Sequence, residues 1–320
     1  MNNNQVINLK DYQEEEQQII AIEDEKEVKE EYFKQWAEHT KLTAEKSFNE
    51  YVRTIKSFKD YLNSNNIAKP METDLLNYRE YLKAKNLQAT TINNYILVIK
   101  MFFKYLAENN LYRNIAKDLK GYKVSKGFKK DYLNREQIHS LLNSIDRMTT
   151  KGKRDYAICL LMLTTGMRTI EITRAKFEDY ENGILYIQGK GRADKSEYVK
   201  ISLQVENAIN EYLETRKNKS ANDYLFTSIS NHNNEQQLTT KSVSRIAKQN
   251  LINAGLKSRR LTAHSFRHTT ATLNLKAGAT MQETQQLLRH QNINTTMIYS
   301  HNLERENNNS EQRIANYIFN

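Results

Sequence analysis

ILYIQGKGRADKSEYVKISL, residues 184–203, is the stretch that decides the fold class of this chain. Its two ends, ILYIQ (184–188) and YVKISL (198–203), are rich in β-branched and aromatic residues. The segment between them is glycine-containing and charged. This pattern predicts two antiparallel strands joined by a longish loop. A single hairpin of this kind in a chain of otherwise helical pattern predicts an α+β module.

The sequence on either side of the hairpin has a helical pattern. One proline and 9 glycines in 320 residues leave few positions that would break a helix. A helix capped by Asn134 and a nearly all-apolar helix at 154–165 precede the hairpin. Three more helices are predicted after it, at about 204–216, 240–254 and 265–277. This part of the chain therefore predicts helices around one small antiparallel sheet.

Residues 31–120 predict a separate, all-helical module. Apolar residues recur there at three-to-four spacing, from Phe48 to Leu62 and again from Ile92 to Leu106. The aromatic members of this pattern are expected in the core because they follow the helical period. We expect four or five helices in the module, so the whole fold is predicted to be mainly α with a small antiparallel sheet.

Shifts in composition predict the remaining boundaries. Residues 1–30 are acidic and polar and are predicted to be a mobile extension. Residues 121–131 lie in the lysine-rich stretch KGYKVSKGFKKDY and are predicted to be a basic linker. The second module is then expected at 132–304, followed by a C-terminal tail helix at 305–320.

The charge is unevenly spread along the chain. The net charge is +10, but residues 1–30 hold 3 lysines against 9 acidic residues, a net of −6, so the remainder carries +16. A basic body of this size favours a polyanionic partner, with nucleic acid ahead of a membrane surface. Since the sequence has neither a signal peptide nor a long apolar run, we expect a cytoplasmic protein without a membrane partner. The single cysteine, Cys159, is expected to be buried.

The stretch HSFRHTTATLNLKAG, residues 264–278, places two histidines and an arginine on one predicted helix. The spacing of His264 and His268 is that of two zinc ligands, but Ser265 stands where a zinc protease would have glutamate, and Arg267 would repel a metal ion. A solvated polar face is the usual fate of such residues. As a third alternative, an arginine fork with an adjacent histidine suits a phosphate.

Three further motifs bear on this choice: TTGMRTIE (164–171), QGKG (188–191) and LLRHQNINTTMIYSH (287–301). As an ordered set with His-x-x-Arg, they resemble the tyrosine recombinase family of phage-integrase and Xer-like site-specific DNA recombinases. The resemblance covers the chain from about residue 31. It implies an all-helical N-terminal core-binding domain and an α+β catalytic domain, with a tail that packs on a neighbouring protomer.

The resemblance also implies the site residues. The family pattern falls on Arg168, Lys190, His264, Arg267, His290 and Tyr299, and the acidic position that accompanies the first arginine is Glu171. Tyr299 would be the nucleophile, the two arginines and His290 would hold the phosphate, His264 would accept a proton, and Lys190 would protonate the leaving oxygen. Two features depart from this pattern: Arg289 stands where glycine is common, and the hairpin loop offers a second amine, Lys195. No metal, ATP or other cofactor is expected.

The implied function is site-specific recombination of duplex DNA through a covalent 3′-phosphotyrosyl intermediate and a Holliday junction. Four protomers would act on two recombination sites, with accessory DNA-bending or directionality proteins as further partners. Integration or excision of a mobile element is favoured over Xer-like dimer resolution, because the acidic extension is not needed by a minimal Xer-like protein. A DNA-binding regulator that no longer cuts and a topoisomerase-like enzyme are the alternatives.

Overall fold

The computed structural model describes residues 27–43, 47–124, 131–189, 194–216, 220–229, 235–299 and 308–319. The chain divides into two compact units, Met1–Lys126 and Gly127–Asn320. Most of the predicted acidic extension, and Lys190 at the hairpin loop, lie outside the described residues. None of the helices within the described ranges has the length and apolar content needed to cross a bilayer.

The first unit is helical in its described part, as the apolar spacing predicts. Aromatic side chains fill its core: the ring of Phe102 stacks on Phe33 at 4.7 Å and meets the edge of Trp36 at 5.9 Å. Phe58 and Phe103 are also fully buried. The helices are α1 (Glu30–Thr43), α2 (Phe48–Ser64), α3 (Glu72–Ala84) and α4 (Ala89–Glu108).

The chain leaving this unit is fastened to α3 and α4 over residues 120–122. Asn93 on α4 accepts a hydrogen bond from the Tyr122 amide at 2.8 Å and donates to the Tyr122 carbonyl at 2.9 Å. Gly121 fits beneath this pair because a Cβ there would lie 2.3 Å from the Asn93 Oδ1. Arg79 on α3 donates to the Lys120 carbonyl at 3.0 Å. The first residues of the basic stretch are therefore held by the first unit.

The second unit combines helices with a three-stranded antiparallel sheet, which confirms the predicted fold class. The hairpin strands pair in register from Ile184 with Lys200 to Ile187 with Glu197, and a short strand that the sequence did not predict adds to the outer edge. The strands are β1 (Tyr180–Glu181), β2 (Ile184–Ile187) and β3 (Glu197–Lys200), and the helices are α5 (Arg135–Asn143), α6 (Thr150–Thr165), α7 (Thr169–Arg174), α8 (Leu203–Leu213), α9 (Thr240–Asn253), α10 (Ala263–Lys276), α11 (Met281–Leu288) and α12 (Ser310–Phe319).

Two buried helices form the centre of the second unit. On α6 most of the run predicted to be buried is buried, including Cys159, and burial raises the pKa of that thiol. On α10, Phe266 is fully buried and the Thr270 hydroxyl donates to the Leu163 carbonyl of α6 at 2.8 Å. This packing fixes the rotation of α10 about its axis. It therefore determines where His264 and Arg267, near the start of α10, present their side chains.

Caps and turns set the ends of these helices. Asn134 caps α5, as predicted, by accepting a hydrogen bond from the Gln137 amide at 2.8 Å. Helix α6 ends at Gly166, whose φ of +61° is in the left-handed region that favours glycine. A Cβ at this position would also lie 2.6 Å from a methyl carbon of Leu288. The tight turn at Gly166 brings the end of α6 against α11.

Candidate active site

A cleft of about 570 Å³ in the second unit brings together most of the predicted site residues. Five of the six residues that the family resemblance implies as catalytic line this cleft: Arg168, His264, Arg267, His290 and Tyr299. The sixth, Lys190, lies outside the described residues, although its neighbour Gly189 is in the lining. Residues far apart in sequence, from the end of α6 to the segment after α11, therefore meet at one surface.

Arg168 lies at the start of α7, two residues after the Gly166 turn. Its backbone amide and its side chain both bind Glu171 on the first turn of that helix. The amide donates to Glu171 Oε2 at 2.8 Å, and Nη1 donates to Oε1 at 2.8 Å. The side chain of Arg168 remains 28% exposed, so it is reachable from the cleft while one face is held in place.

Glu171 is a buried anion beneath the cleft. Its side chain is fully buried, and Oε2 also accepts a hydrogen bond from Arg289 Nη2 at 3.0 Å. Burial by itself would raise the pKa of Glu171, but the charge of Arg289 and the hydrogen bonds from Arg168 outweigh it and lower the pKa. Glu171 therefore stays ionised and holds two guanidinium groups together.

Arg267 projects from the first turns of α10 into the floor of the cleft and is only 2% exposed. Its Nη1 donates to the Gly166 carbonyl at 2.5 Å and its Nη2 donates to the Leu288 carbonyl. A guanidinium has five N–H donors, so these two bonds leave others for a ligand. Burial, followed by repulsion from Arg168 and Arg289, lowers the pKa of Arg267 to about 9. The group remains a cation at neutral pH.

His290 follows α11, where the chain turns through the left-handed conformation of Arg289. The His290 amide donates to the Gln285 carbonyl at 3.1 Å, and its Nδ1 is 2.8 Å from the Thr296 hydroxyl oxygen. Burial, together with the charges of Arg267 and Arg168, lowers the pKa of His290 to about 4. The imidazole is therefore neutral at pH 7 and can act as a hydrogen-bonding group but adds no positive charge.

Tyr299 closes the cleft at the end of the helical residues 294–299 and is 4% exposed. It packs in a small apolar cluster with Ala271 and Leu288. The His268 ring lies 5.3 Å from the Tyr299 ring and 4.5 Å from the His264 ring, centre to centre. Burial raises the pKa of Tyr299 to about 12, although the charge of Arg267 opposes this rise. The phenol is protonated at rest.

Lys195, the second amine of the hairpin loop, is bound to two carboxylates. Its Nζ donates to the buried carboxylate of Asp179 and lies 3.3 Å from Glu178 Oε1. The hydrogen bond to Asp179 raises the pKa of Lys195. An ammonium bound to two carboxylates is a poor proton donor to a third group.

Several residues that shape the cleft belong to none of the predicted site positions. Arg289 is only a departure from the family pattern in the sequence, yet in the structure it lines the cleft and binds Glu171. Glu197 at the start of β3 also lines the cleft, and Thr296 contacts His290. The strand pattern does not distinguish Glu197 from the residues beside it. A charged residue directly before His290, at the position where a helix would end in glycine, was the available signal for Arg289.

The arrangement is suited to a phosphodiester. Three guanidinium groups, a neutral imidazole and a buried phenol line one cleft, and an arginine fork can bind two phosphate oxygens at once. Among the described residues, no three His, Cys, Asp or Glu side chains are grouped so as to hold a metal ion. The positive charge that the described part of the cleft offers to a phosphate therefore comes from arginine.

Comparison with known families gives two matches that together span most of the chain. The sequence profile of the Phage integrase family matches residues 131–306. The profile described as Phage integrase, N-terminal SAM-like domain matches residues 30–110. The first of these covers the whole cleft and more than half of the chain.

Among curated proteins, the tyrosine recombinase XerD of Listeria innocua is 33% identical over 174 residues, which are 53% of this chain and 57% of that protein. The tyrosine recombinase XerC of Caldanaerobacter subterraneus is 33% identical over 171 residues, which are 53% of this chain and 47% of that protein. The chain thus matches only about half of the length of these relatives.

Solved structures share the fold. The XerH site-specific recombinase bound to palindromic difH substrate, in a post-cleavage complex, has a TM-score of 0.68 at 24% identity and covers 87% of this chain and 84% of that one. A lambda integrase dimer bound to a COC′ core site has a TM-score of 0.67 at 14% identity and covers 82% and 95%. At these identities the likeness speaks for the fold alone.

Proposed function

Because the chain belongs to the phage integrase family, we propose that it cleaves and rejoins duplex DNA at specific sites, with Tyr299 as the nucleophile. The observation that carries the proposal is the convergence of Arg168, His264, Arg267 and His290 on one cleft with a buried tyrosine. A DNA-binding protein without chemistry would have no use for this grouping.

The reaction is a transesterification in two steps. The Tyr299 oxygen attacks the phosphorus of the scissile phosphodiester, forming a tyrosine–phosphate bond while the bond to the 5′ oxygen breaks. The products are a 3′-phosphotyrosyl link and a free 5′-hydroxyl. Since the new ester keeps the energy of the old one, the 5′-hydroxyl of another strand can reverse the attack, release the tyrosine and join the DNA without ATP.

Tyr299 needs activation before it can attack. With a pKa of about 12, its ionisation at pH 7 costs about 7 kcal/mol, at 1.36 kcal/mol for each pKa unit. The resting enzyme therefore keeps its nucleophile inactive until DNA occupies the cleft. His264 is exposed at the start of α10 and lines the same cleft, which supports its role as the group that accepts the phenolic proton during attack.

The transition state is stabilised by groups that are already in place. Arg168 and Arg267 bind the nonbridging phosphate oxygens, where negative charge grows at the pentacoordinate phosphorus. Arg267 is fixed by two backbone carbonyls, so little reorganisation is needed when charge develops. His290, neutral at pH 7, donates one further hydrogen bond to the phosphate. These fixed cations do what Mg²⁺ does in many phosphoryl-transfer enzymes, and no metal or other cofactor is needed.

Lys190 supplies the proton for the departing 5′ oxygen. An alkoxide is a poor leaving group, so a positioned ammonium contributes typically ~100- to ~10,000-fold in rate. The engagement of Lys195 with Asp179 and Glu178 supports this assignment, because it removes the alternative amine of the same loop.

The partners proposed are two duplex recombination sites and three further copies of this chain, joined through a Holliday junction. The XerH structure is bound to a difH substrate and the lambda integrase structure to a COC′ core site. The basic charge of +16 outside residues 1–30 suits a DNA partner. The apolar residues Ile314, Tyr317 and Ile318 of α12 are exposed. We propose that these three side chains bind a neighbouring protomer on the DNA. The reaction is proposed to take place in the cytoplasm, with DNA-bending or directionality proteins as accessory partners.

Integration or excision of a mobile element is the finer function that we propose. The acidic residues 1–30 support it, since resolution of chromosome dimers by a minimal Xer-like protein requires no such segment. The curated relatives named above are Xer recombinases, so an experiment must distinguish element integration from dimer resolution. The protein is incubated with the DNA that flanks its own gene, and the DNA ends that become covalently trapped on it are sequenced. Element boundaries are expected, and a single chromosomal site would contradict this choice.

The experiment for the function itself uses a duplex nicked beside the cleavage position, so that the short fragment diffuses away and the covalent complex accumulates. Wild type is expected to form an adduct and Tyr299→Phe to bind DNA without one. The control is Tyr186→Phe, at an exposed tyrosine of β2 outside the cleft lining, which is expected to behave as wild type. Binding without any adduct would instead indicate a regulator. Adducts without recombinants between two sites would indicate a topoisomerase-like enzyme.

A further inference from the structure

Arg289 has a backbone conformation that ordinarily selects glycine. As the C-cap of α11 it has φ +55° and ψ +47°, in the left-handed region. A residue with a side chain in this region costs on the order of 1–3 kcal/mol and persists where its surroundings compensate. Glycine would make the same turn without that cost. The arginine therefore points to a gain from its side chain.

The side chain of Arg289 is buried and bonded on two edges. It is 7% exposed, with Nη2 3.0 Å from Glu171 Oε2 and Nη1 donating to the Leu287 carbonyl at 2.8 Å. Its third edge, Nε, is buried, has no hydrogen-bond partner in the described part of the chain, and lies 3.8 Å from Glu197 Oε2. Arg289 thus lies between the two carboxylates that border the cleft.

The charge count of the cleft depends on this residue. Among the described arginine and carboxylate side chains at the cleft, three guanidinium groups, on Arg168, Arg267 and Arg289, stand against two carboxylates, on Glu171 and Glu197. His290 adds no charge because its pKa is about 4. Without Arg289, the two carboxylates would offset both remaining arginines of this group, Arg168 and Arg267.

Arg289 also changes what Arg168 can do. Glu171 is the ion-pair partner of both arginines. Each guanidinium takes part of the charge of that carboxylate, so the presence of Arg289 weakens the hold of Glu171 on Arg168. Arg168 is 28% exposed and so lies where a phosphate oxygen can reach it.

Building on the proposed function, we infer that Arg289 is a positioning residue for DNA cleavage, whose guanidinium balances Glu171 and Glu197 so that Arg168 and Arg267 are free to bind the scissile phosphate. It acts through these neighbours and need not touch the DNA. No step of the mechanism above uses it.

The test measures single-turnover cleavage of the nicked duplex at saturating protein. Arg289→Met is expected to be at least ~10-fold slower than wild type, though less impaired than the ~100- to ~1,000-fold that follows loss of a donor bonded directly to the reacting oxyanion. Arg289→Lys keeps the positive charge, so its cleavage rate is expected to fall less than that of Arg289→Met. DNA affinity at equal salt is expected to change less than the cleavage rate.

A second substitution separates charge balance from packing. Adding Glu197→Gln to Arg289→Met restores the count of two cations against one anion, so the double variant is expected to cleave faster than Arg289→Met alone. The control is Arg216→Met, because Arg216 is also buried, bonds the Tyr224 carbonyl and lies outside the cleft. It is expected to lower stability without a selective loss of cleavage.

Several outcomes would overturn the inference. Cleavage by Arg289→Met at the wild-type rate would do so, and so would the absence of any rescue by Glu197→Gln. If Arg289→Met does not fold, Arg289→Gly replaces it, because glycine relieves the backbone strain and still removes the charge. Failure of the wild type to cleave would overturn the proposed function, and this inference with it.

Discussion

Replacing Glu171 by alanine is expected to destabilise the second unit strongly. The carboxylate is fully buried and accepts three hydrogen bonds of 2.8, 2.8 and 3.0 Å, two from Arg168 and one from Arg289. Without it, the buried guanidinium of Arg289 and the partly buried guanidinium of Arg168 would lose the carboxylate that they share. Breaking a buried ion pair by removing one partner costs about 3–5 kcal/mol.

The matched variants set the scale of this effect. Glu171→Gln keeps the shape of the side chain, but it loses the charge and turns an NH₂ group toward a donor. We expect it to lower the free energy of unfolding by about 1–3 kcal/mol, the cost of leaving a buried polar group unsatisfied. Glu211→Ala serves as the surface control, because its pair with Arg147 is 38–44% exposed. Such exposed pairs contribute about 0–1 kcal/mol. The expected order of destabilisation is therefore Glu171→Ala, Glu171→Gln, Glu211→Ala.

The assay follows the two units separately during denaturant unfolding. The only tryptophan, Trp36, is buried in the first unit, so its fluorescence reports that unit, while far-ultraviolet circular dichroism reports both. Glu171→Ala is expected to shift the dichroism transition and leave the Trp36 transition in place. If Glu171→Ala lowers the free energy of unfolding by less than ~1 kcal/mol, as expected for the surface pair, then Glu171 is not a required counter-ion.

Three further predictions concern Lys190, His290 and the tail. Replacing the bridging 5′ oxygen by sulfur should rescue cleavage by Lys190→Ala, because a thiol has a pKa near ~8.5 and leaves without a proton; rescue of Lys195→Ala instead would move the acid along the loop. Because the pKa of His290 is lowered from 6.5 to about 4, the unfolded chain binds more protons in that window. Stability should therefore fall as the pH drops from 6.5 to 4, and His290→Gln should flatten that slope in urea titrations, whereas an unchanged slope would contradict the low pKa. Deleting the residues after Asn307 should weaken tetramer assembly more than binding to a single site in gel-shift titrations, and equal losses would indicate packing within one protomer.

Most elements of the fold were predictable because they depend on residues that are close together in the sequence. The hairpin at 184–203 was readable from its alternation and loop composition, and the Asn134 cap from its position before an apolar period. The short strand β1 and the helix α11 escaped prediction. β1 is two residues long and exists only through pairing with Leu185 and Ile184, which no local pattern encodes.

The candidate site was likewise only partly predictable from the sequence. Residue identities could be proposed from motif spacing, but their protonation states could not, because these depend on burial and on charges brought from elsewhere in the chain. The pKa of Tyr299 is raised to about 12 by packing against Ala271 and Leu288, and that of His290 is lowered to about 4 by burial and the arginines. The role of Arg289 likewise depends on Glu171, which lies 118 positions earlier.

Peptide mapping of the covalent complex identifies the nucleophile directly. After cleavage of a nicked duplex in the presence of EDTA, the DNA is digested and the protein is cut with trypsin, which is expected to release the peptide HQNINTTMIYSHNLER (290–305), whose only tyrosine is Tyr299. We expect a nucleotide joined through its 3′ phosphate to Tyr299 in wild type and none in Tyr299→Phe. A nucleotide on any other residue, or an adduct that forms only when metal is present, would contradict it.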